Sequence, residues 1–332
     1  MNIVIAGGYG QLGTALGLTS PTVAHRDRIA RLGRSSLDIT DPVSVRAMIE
    51  TEQPDLIINA AAYTAVDRAE AADQRTIARA VNAEGAANLA TAAAKARVPL
   101  IHVSTDYVYG DNTDGVSVHH EAPYCTVYQQ SAQASQTPLP IDAPAHPRSV
   151  YGSTKLAGDY AVQDAFENID VPCAIVRTSW VYSGAALPEH RDFVSTMMRL
   201  ERQSRGNDGP AARVVNDQWG SPTNVFDLAR GLWELSGVAS AAVCFPEMLA
   251  PGGVVHCVGE GACTWWDVAC RVFTASGGDP GRVVPVPSQE YPTPAERPSW
   301  SVLDNSSWLA LGLTPLPAWQ DGVDRAVGGV GV

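Results

Sequence analysis

A glycine-rich loop close to the beginning of the sequence places the strongest constraint on the fold. Residues 2–6 form a short apolar run that predicts a buried parallel strand. The loop Gly7-Gly8-Tyr9-Gly10-Gln11-Leu12-Gly13 follows at once, and a helix is predicted from Gln11. A strand, a tight turn and a helix in this order form a dinucleotide-binding fingerprint, because the loop amides and the positive helix end can hold a pyrophosphate. We therefore expect Gly7, Gly10 and Gly13 to contact a dinucleotide, and not merely to form a tight turn.

Strands and helices alternate along the first half of the chain. Further strands are predicted at 28–32, 56–59, 100–103 and 171–177, separated by helices at 41–50 and 68–96 and by one that begins near Tyr151. This alternation is typical of the α/β class, and we predict a Rossmann-like, doubly wound parallel sheet. Ligands of such sheets bind at the carboxyl ends of the strands, where Gly7, Asn59 and Thr105 fall.

The second half of the chain has a different character. Beyond Trp180 the sequence gains proline and tryptophan, and helix-like pieces mix with short extended ones. We predict a Rossmann domain over residues 1–178 and a smaller, interleaved C-terminal substrate lobe over 179–332, with a segment at about 212–258 returning to the first domain. The pair Trp265-Trp266 is expected in the core of this lobe, in preference to a binding site.

Residues 111–147 break the alternation. They contain several prolines and show no useful periodicity. A connection this long is functional, mobile or both, and we expect it to act as a lid, a partner surface or a determinant of substrate choice.

Composition and charge exclude some classes of function. The formal net charge of -12 disfavours nucleic acid and anionic membranes as partners, because both are polyanions that need a basic patch. The six cysteines are scattered without paired spacing, so we expect reduced, mostly buried side chains. The pair His119-His120 lies in a polar stretch and is expected to be solvent-exposed, and no metal site is predicted.

The sequence also favours a compartment. The apolar strand at the start runs directly into the glycine loop, which leaves no room for the parts of a secretory signal. No apolar run approaches the roughly 20 residues that a membrane helix needs. A cytoplasmic location is therefore expected.

A second motif points to carbonyl chemistry. Tyr151-Gly152-Ser153-Thr154-Lys155 lies downstream of Ser104-Thr105-Asp106. In a helix, Tyr151 and Lys155 share one face, so the ammonium lies beside the phenol. Lowering the phenol pKa by about three units takes about 4 kcal/mol, and a neighbouring cation is a ready source. The Thr105 hydroxyl could hold the substrate oxygen within reach of Tyr151. Together these residues predict a carbonyl reduction site.

Charges after the second strand bear on the choice of cofactor. An acidic ligand for the ribose is expected about 20 residues after the glycine loop, and only Asp27 is near that spacing. Arg31 and Arg34 lie closer to the predicted end of the strand, and arginine suits a 2′-phosphate. The arginines therefore favour NADPH, and NADH stays open. The alternative is that Arg31 and Arg34 are only solvated surface charges.

The motifs together resemble the extended short-chain dehydrogenase/reductases and, among them, the dTDP-4-dehydrorhamnose reductase family. The likeness spans nearly the whole chain. It is carried by the glycine loop, Asn59 to Asp67, Ser104 to Tyr109, Tyr151 to Gly158, Arg177 to Tyr182, Asp217 to Thr223, and Tyr291 to Pro294 leading to Arg297-Pro298. By contrast, Trp300 stands where the family usually has asparagine before serine.

The resemblance implies an activity and further site residues. The activity is reduction of the C4 ketone of dTDP-4-dehydro-L-rhamnose by NAD(P)H, with Tyr151 as proton donor, Lys155 on the nicotinamide ribose and Thr105 on the substrate oxygen. The residues implied to line the cofactor are Gly10, Gln11, Leu12, Asp38, Ile39, Ala62, Tyr63 and Thr64. Those implied to touch the sugar nucleotide are Thr105, Asp106, Trp180 and Arg297.

Related activities and assembly states stay open at this point. Sugar-nucleotide dehydratases place Asp-Glu after the threonine, whereas this chain has Asp106-Tyr107, and 4-epimerases have a serine-rich segment; reduction is therefore favoured over both. A reductase of another 4-keto-6-deoxysugar and a non-catalytic regulatory homologue are the remaining alternatives. Some family members bind Mg²⁺ through glutamates at a dimer interface, but Ala15 occupies that vicinity here, so the metal is not carried over. A monomer or a homodimer is expected.

Overall fold

A six-stranded parallel sheet forms the centre of the molecule. The computed structural model describes residues 1–21, 28–110, 137–207, 209–238 and 253–331. The strands are β1 (Asn2–Ala6), β2 (Arg28–Leu32), β3 (Leu56–Asn59), β4 (Leu100–Thr105), β5 (Cys173–Thr178), β6 (Val181–Tyr182), β7 (Ala212–Val215), β8 (Trp219–Gly220), β9 (Thr223–Asn224), β10 (Gly253–His256), β11 (Cys263–Thr264) and β12 (Val283–Val286). The central sheet has the order β2-β1-β3-β4-β5-β10, and every neighbouring pair is parallel. The predicted Rossmann-like fold is confirmed.

Helices connect these strands and cover both faces of the sheet. They are α1 (Gln11–Leu18), α2 (Pro42–Glu52), α3 (Val66–Ala69), α4 (Ala72–Arg79), α5 (Ala86–Ala96), α6 (Val150–Phe166), α7 (Phe193–Ser204), α8 (Val225–Leu235), α9 (Trp265–Ala275), α10 (Ser306–Ala310) and α11 (Trp319–Val327). The helical stretch predicted at 68–96 is α3 followed by α4 and α5, which a π-helical turn at Ala80–Gly85 joins. None of the helices in the described ranges is long and apolar enough to cross a lipid bilayer.

Alternation along the strands builds a core on each face of the sheet. On β1, Ile3 and Ile5 pack with Leu16 of α1 on one face, whereas Val4 and Ala6 pack on the other face, toward α2, α5 and α6. Side chains of a strand point alternately to opposite faces, so a strand buried on both sides must be apolar throughout. This explains why the central strands are short, unbroken apolar runs.

The second half of the chain contributes to both parts of the molecule. Helix α8 packs against α1, where the Trp233 indole donates to the carbonyl of Leu16 at 3.2 Å. Strand β10 extends the sheet beside β5 and lies within the segment at about 212–258 that was expected to return to the first domain. A separate core joins Met197 and Met198 of α7 to Val272 of α9. The interleaving is therefore real, while the boundary at 178 stays a prediction.

Two predictions on aromatic and thiol side chains can be compared with this core. Trp265 and Trp266 both pack against the core of the second lobe, and the Trp266 indole donates to the carbonyl of Val283 at 2.9 Å, as predicted. The cysteines of the described ranges carry no disulfide; Cys173, Cys257 and Cys263 are buried, and Cys270 is partly exposed. The remaining two, Cys125 and Cys244, lie outside the described residues.

Replacing Gly158 by alanine tests how closely α6 packs on the π turn. The added methyl group would lie 2.2 Å from the backbone carbonyl oxygen of Asn82, which cannot move without shifting that turn. We expect Gly158→Ala to lower the free energy of unfolding by about 1–3 kcal/mol, measured by urea denaturation. In Gly209→Ala the methyl group meets no atom within 4 Å, so this control should unfold like the wild type. Equal stability of the two variants would contradict the packing.

Candidate active site

The glycine loop brings bare backbone to the amino end of α1. Gly7 has a φ of +73°, and a Cβ there would lie 2.6 Å from the amide nitrogen of Ala61 at the end of β3. A Cβ on Gly13 would lie 2.3 Å from the carbonyl oxygen of Gly7. Only glycine fits these two positions, since the turn folds back on itself and on the neighbouring strand. The amides of the first turn of α1, including those of Gln11 and Leu12, are left available to an anionic ligand.

Arg31 and Arg34 have different roles at the end of β2. The Arg31 guanidinium donates to the carbonyl of Gly8 at 2.8 Å and to the Thr14 hydroxyl at 3.1 Å, and its central carbon lies 5.2 Å from the centre of the Tyr9 ring. Arg31 therefore supports the glycine loop. Arg34 is 77% exposed, and its closest charged partner is Asp38 at 3.6 Å. Of the two, Arg34 is the one free to meet a ligand.

Asp38 and Ile39 line the same end of the sheet between β2 and α2. Hydrogen bonds from Thr40, and then the charge of Arg34, hold the pKa of the Asp38 carboxyl below its usual value. Ile39 is buried, and its carbonyl accepts from the Asn88 side chain at 3.0 Å. Both lie where a cofactor ribose would be expected. Asp27, the alternative ribose ligand, lies outside the described residues.

The segment Ala62-Tyr63-Thr64 after β3 is held by a residue that sequence reasoning missed. Asn82 accepts from the Tyr63 amide at 2.8 Å and donates to the Tyr63 carbonyl at 3.1 Å and to the Thr154 hydroxyl at 3.1 Å. The π turn places Asn82 toward this segment, and such turns are frequent at functional sites. Helical periodicity carries no signal for one inserted residue, so Asn82 could not be identified from the sequence.

Tyr151 lies in the first turn of α6, and its helix start is fixed from two directions. The Ser149 side chain caps the helix by accepting from the Gly152 amide at 3.0 Å. Glu70 accepts from the Val150 amide at 2.8 Å, a contact between elements far apart in the sequence. Thr105, at the carboxyl end of β4, lies near the phenol of Tyr151 and acts to lower the pKa of that phenol. The roles predicted for the two groups remain a prediction.

The expected direction of the Tyr151 pKa shift is wrong. The neighbouring ammonium was expected to lower the pKa of Tyr151. Burial instead raises the pKa of the phenol to about 12, although Thr105 opposes this shift. Lys155 does share a helix face with Tyr151, but its ammonium turns to β4 and donates to the carbonyl of Val103 at 2.7 Å. Burial lowers the pKa of Lys155 to about 8, and Asp159 opposes that shift.

Asp106 is an internal anchor of the site. It is buried, and its carboxylate accepts from the hydroxyls of Thr105, at 3.0 Å, and Ser179, at 3.2 Å. Burial raises its pKa to about 6, because these donors and the nearby Ser301 only partly replace water. These contacts join the end of β4 to the segments after β5 and before α10.

Trp180, just after β5, and Arg297, before α10, make contacts near the site. Trp180 has a φ of +47°, and its indole stacks on Trp265 with the ring centres 3.7 Å apart. Arg297 forms two hydrogen bonds with Asp67, at 3.0 and 2.7 Å, and a further one with Tyr107. The Tyr107 ring meets Tyr151 edge to face at 5.5 Å. Arg297 thus reaches the site through Tyr107.

Gln11 connects the glycine loop to the second lobe. The side-chain nitrogen of Gln11 donates to the Ser183 hydroxyl and to the Asp192 carboxylate, both at 3.0 Å. Asp192 also caps α7 by accepting from the amide of Ser195 at 2.8 Å. One carboxylate therefore couples the amino ends of α1 and α7, a contact that no local sequence pattern indicates.

The described residues contain no group of three or more His, Cys, Asp or Glu side chains that could hold a metal ion. His119 and His120, and residues 111–136 of the long connection, lie outside the described residues. The remaining part of that connection, from residue 137, pairs with the C-terminal lobe through a bridge between Leu139 and Leu303.

Comparison with known proteins identifies the family of the chain. The family described as the RmlD substrate binding domain matches residues 1–330. A dTDP-4-dehydrorhamnose reductase of Mycobacterium tuberculosis is 40% identical over 325 residues, 98% of this chain and 92% of the relative. A dTDP-4-keto-6-deoxy-D-glucose reductase of Streptomyces niveus is 36% identical over 328 residues, 97% of this chain and 95% of the relative. A solved dTDP-4-dehydrorhamnose reductase from Bacillus anthracis in complex with NADP superposes with a TM-score of 0.77, at 28% identity over 97% of both chains.

The parallel sheet, the glycine loop and the Tyr–Lys helix define a short-chain dehydrogenase/reductase of the extended type. The chain belongs to the RmlD substrate binding domain family. The resemblance drawn from the sequence motifs is therefore confirmed.

Asp106 makes stability depend on pH in a direction that can be checked. Its pKa rises from 3.8 to about 6 on folding, so the folded protein binds more protons than the unfolded chain between these values, and stability falls as pH rises through that window. A difference of about two pKa units corresponds to about 3 kcal/mol.

Urea denaturation at several pH values between 4 and 7 measures this effect. The difference in unfolding free energy between wild type and Asp106→Asn should shift by up to about 3 kcal/mol in favour of the variant as pH rises. Asp164→Asn, which removes a charge from the exposed side of α6, controls for net charge. A difference between wild type and Asp106→Asn that is constant with pH would refute the assignment.

Proposed function

We propose that the protein reduces the C4 ketone of dTDP-4-dehydro-L-rhamnose to the alcohol of dTDP-L-rhamnose, with NADPH as the hydride donor. The observation that carries this proposal is the arrangement of three groups: Tyr151 begins α6 beside Thr105 at the carboxyl end of β4, and Lys155 follows one helical turn further on. Membership of the family and the names of its relatives supply the substrate class.

The residues at the carboxyl edge of the sheet suit a nicotinamide dinucleotide. The cradle at Gly7 and Gly13 leaves no space for a Cβ and brings backbone amides to the helix end, as a pyrophosphate requires. Gln11, Asp38, Ile39 and Tyr63 would line the dinucleotide, and Lys155 would hold the nicotinamide ribose. When bound, the reduced nicotinamide supplies the hydride for the ketone.

The protein supplies the proton and the orientation. A substrate oxygen placed between Thr105 and Tyr151 would receive a hydrogen bond from the phenol, and a second one from the Thr105 hydroxyl once that hydroxyl turns from Asp106, to which it donates here. Because burial raises the pKa of Tyr151, the phenol is protonated at neutral pH, the form that reduction needs. As negative charge develops on the oxygen, Tyr151 donates its proton. Trp180 and Arg297 would touch the sugar nucleotide.

A second 4-keto sugar is a candidate substrate and is tested by the same measurement of NADPH oxidation. The relative from Streptomyces niveus is named a dTDP-4-keto-6-deoxy-D-glucose reductase, and its identity of 36% is close to that of the rhamnose-type relative. Oxidation of NADPH, followed at 340 nm with each 4-keto sugar, separates the two. No oxidation with either sugar would favour the non-catalytic homologue.

Tyr151→Phe tests the proton donor. The variant removes one hydroxyl and keeps the ring, so turnover should fall by about 10²–10⁴-fold while NADPH still binds. Turnover is measured by NADPH oxidation and binding by quenching of protein fluorescence. Tyr160→Phe, on an exposed position of the same helix, is the matched control and should keep full activity. Near-normal turnover of Tyr151→Phe would reject the mechanism.

Arg34→Ala tests the choice of cofactor. If Arg34 holds the 2′-phosphate, its loss should raise the KM for NADPH about tenfold and leave the KM for NADH unchanged. Arg46→Ala, on the exposed side of α2, is the control for charge. An equal change for both cofactors would argue that Arg34 is only a solvated surface charge.

A further inference from the structure

A histidine behind the active site is not used by the proposed mechanism. His102 lies in the middle of β4 and is 1% exposed. Its Nε2 atom lies 3.3 Å from the side-chain nitrogen of Lys155, and its Nδ1 atom lies 3.0 Å from the Asn59 side chain. A polar ring fully enclosed between apolar strands is costly to bury unless its hydrogen bonds are specific.

The neighbours of His102 determine which ring nitrogen carries the proton. The oxygen of the Asn59 side chain accepts from the Ala61 amide at 3.1 Å, so its nitrogen is the atom that faces the ring. An amide nitrogen only donates, and Nδ1 of His102 must therefore accept. Burial lowers the pKa of His102 well below its usual value, so the ring is neutral. Its single proton is then on Nε2.

This tautomer places an N–H bond opposite the lysine. An ammonium has only donors, so the charged form of Lys155 and the Nε2–H bond oppose each other, whereas a neutral amine could accept from it. Asp159, one turn further along α6, acts the other way. Its Oδ1 atom lies 3.8 Å from Nε2 and has no hydrogen-bond partner among the described residues. Its carboxylate favours the ammonium by charge.

The titratable and charged side chains around Lys155 and the adjoining Tyr151 come from three elements. They are His102 on β4 with Asp106 just after it, Arg177 on β5, and Tyr151 and Asp159 on α6. Arg177 is engaged with Asp159 at 3.1 Å. Beside the Val103 carbonyl, to which the lysine nitrogen donates at 2.7 Å, the titratable neighbours of that nitrogen are therefore Asp159 and His102.

We infer that His102 is a positioning residue that acts through Lys155: Asn59 orients the ring so that its Nε2–H bond faces the lysine nitrogen and opposes the charge that Asp159 favours. Lys155 is thereby held between a group that favours the neutral amine and one that favours the ammonium. The catalytic meaning of this balance rests on the proposed function, in which Lys155 holds the nicotinamide ribose.

The composition of the chain allows a direct test on the full-length protein. Lys95 and Lys155 are its only lysines, so protein labelled with ¹³C at lysine Cε gives two resonances. Lys95 is exposed on α5, and Lys95→Arg assigns its signal. The chemical shift of the other signal, followed against pH, reports the protonation of Lys155 without any turnover.

Two substitutions of His102 separate the proposed role from simple packing. Gln places a donor near the position of Nε2, whereas Asn reaches only the position of Nδ1. We expect His102→Asn to raise the titration midpoint of Lys155 by about one pH unit, because the opposing N–H is gone. His102→Gln should keep the wild-type midpoint. An unchanged midpoint in His102→Asn, or the same shift in both variants, would overturn the inference.

Two further readouts cover the remaining outcomes. If His102→Asn does not fold, ¹⁵N-histidine spectra of the wild type show which ring nitrogen of His102 carries the proton. The His102 signals are assigned by their absence in His102→Gln. A proton on Nδ1 of His102 would overturn the inference. The alkaline limb of kcat against pH for NADPH oxidation should move with the lysine midpoint in His102→Asn and stay in place in His102→Gln. If the wild type does not turn over the 4-keto sugars, the proposed function fails, whereas the lysine titration still decides the role of His102.

Discussion

The close approach of α6 to the end of β4 and to the π turn is the constraint on which the rest of the structure depends. Two glycines make it possible: a Cβ on Gly152 would lie 2.1 Å from the carbonyl oxygen of Tyr107, and one on Gly158 would lie 2.2 Å from that of Asn82. Without this contact the Tyr151 phenol would not reach Thr105. The glycines within the helix reduce its intrinsic stability, and packing against the sheet offsets that loss.

Burial shifts the pKa values of the acidic and of the basic side chains at this contact in opposite directions. It raises the pKa of Tyr151 and of Asp106 and lowers the pKa of Lys155 and of His102, since in each case the charged form loses water. At neutral pH Tyr151 and His102 are therefore neutral, whereas Asp106 and Lys155 remain mainly charged. A neutral phenol is a proton donor, which suits reduction of a ketone better than the reverse reaction.

The second lobe completes the site through a few long-range polar contacts. Asp192 connects the glycine loop to α7 by way of Gln11, and Arg297 connects Asp67 to Tyr107. These charged hydrogen bonds join segments that are far apart in the sequence, and they hold the second half of the chain against the carboxyl edge of the sheet. The specificity of the enzyme for its sugar is expected to depend on this alignment as much as on direct contacts.

The sequence by itself determined the parallel sheet and the glycine loop, and it predicted Thr105, Tyr151 and Lys155 as the reacting groups, because these follow from local periodicity, turn chemistry and helical spacing. Asp159 could also have been found, as it lies four residues after Lys155 on the same helix face. Only the tertiary structure decided the direction of the Tyr151 pKa shift, the burial of Asp106 and the approach of Asn82, Glu70 and His102. Desolvation and contacts between distant segments depend on the packing of the whole chain, and no local pattern encodes them.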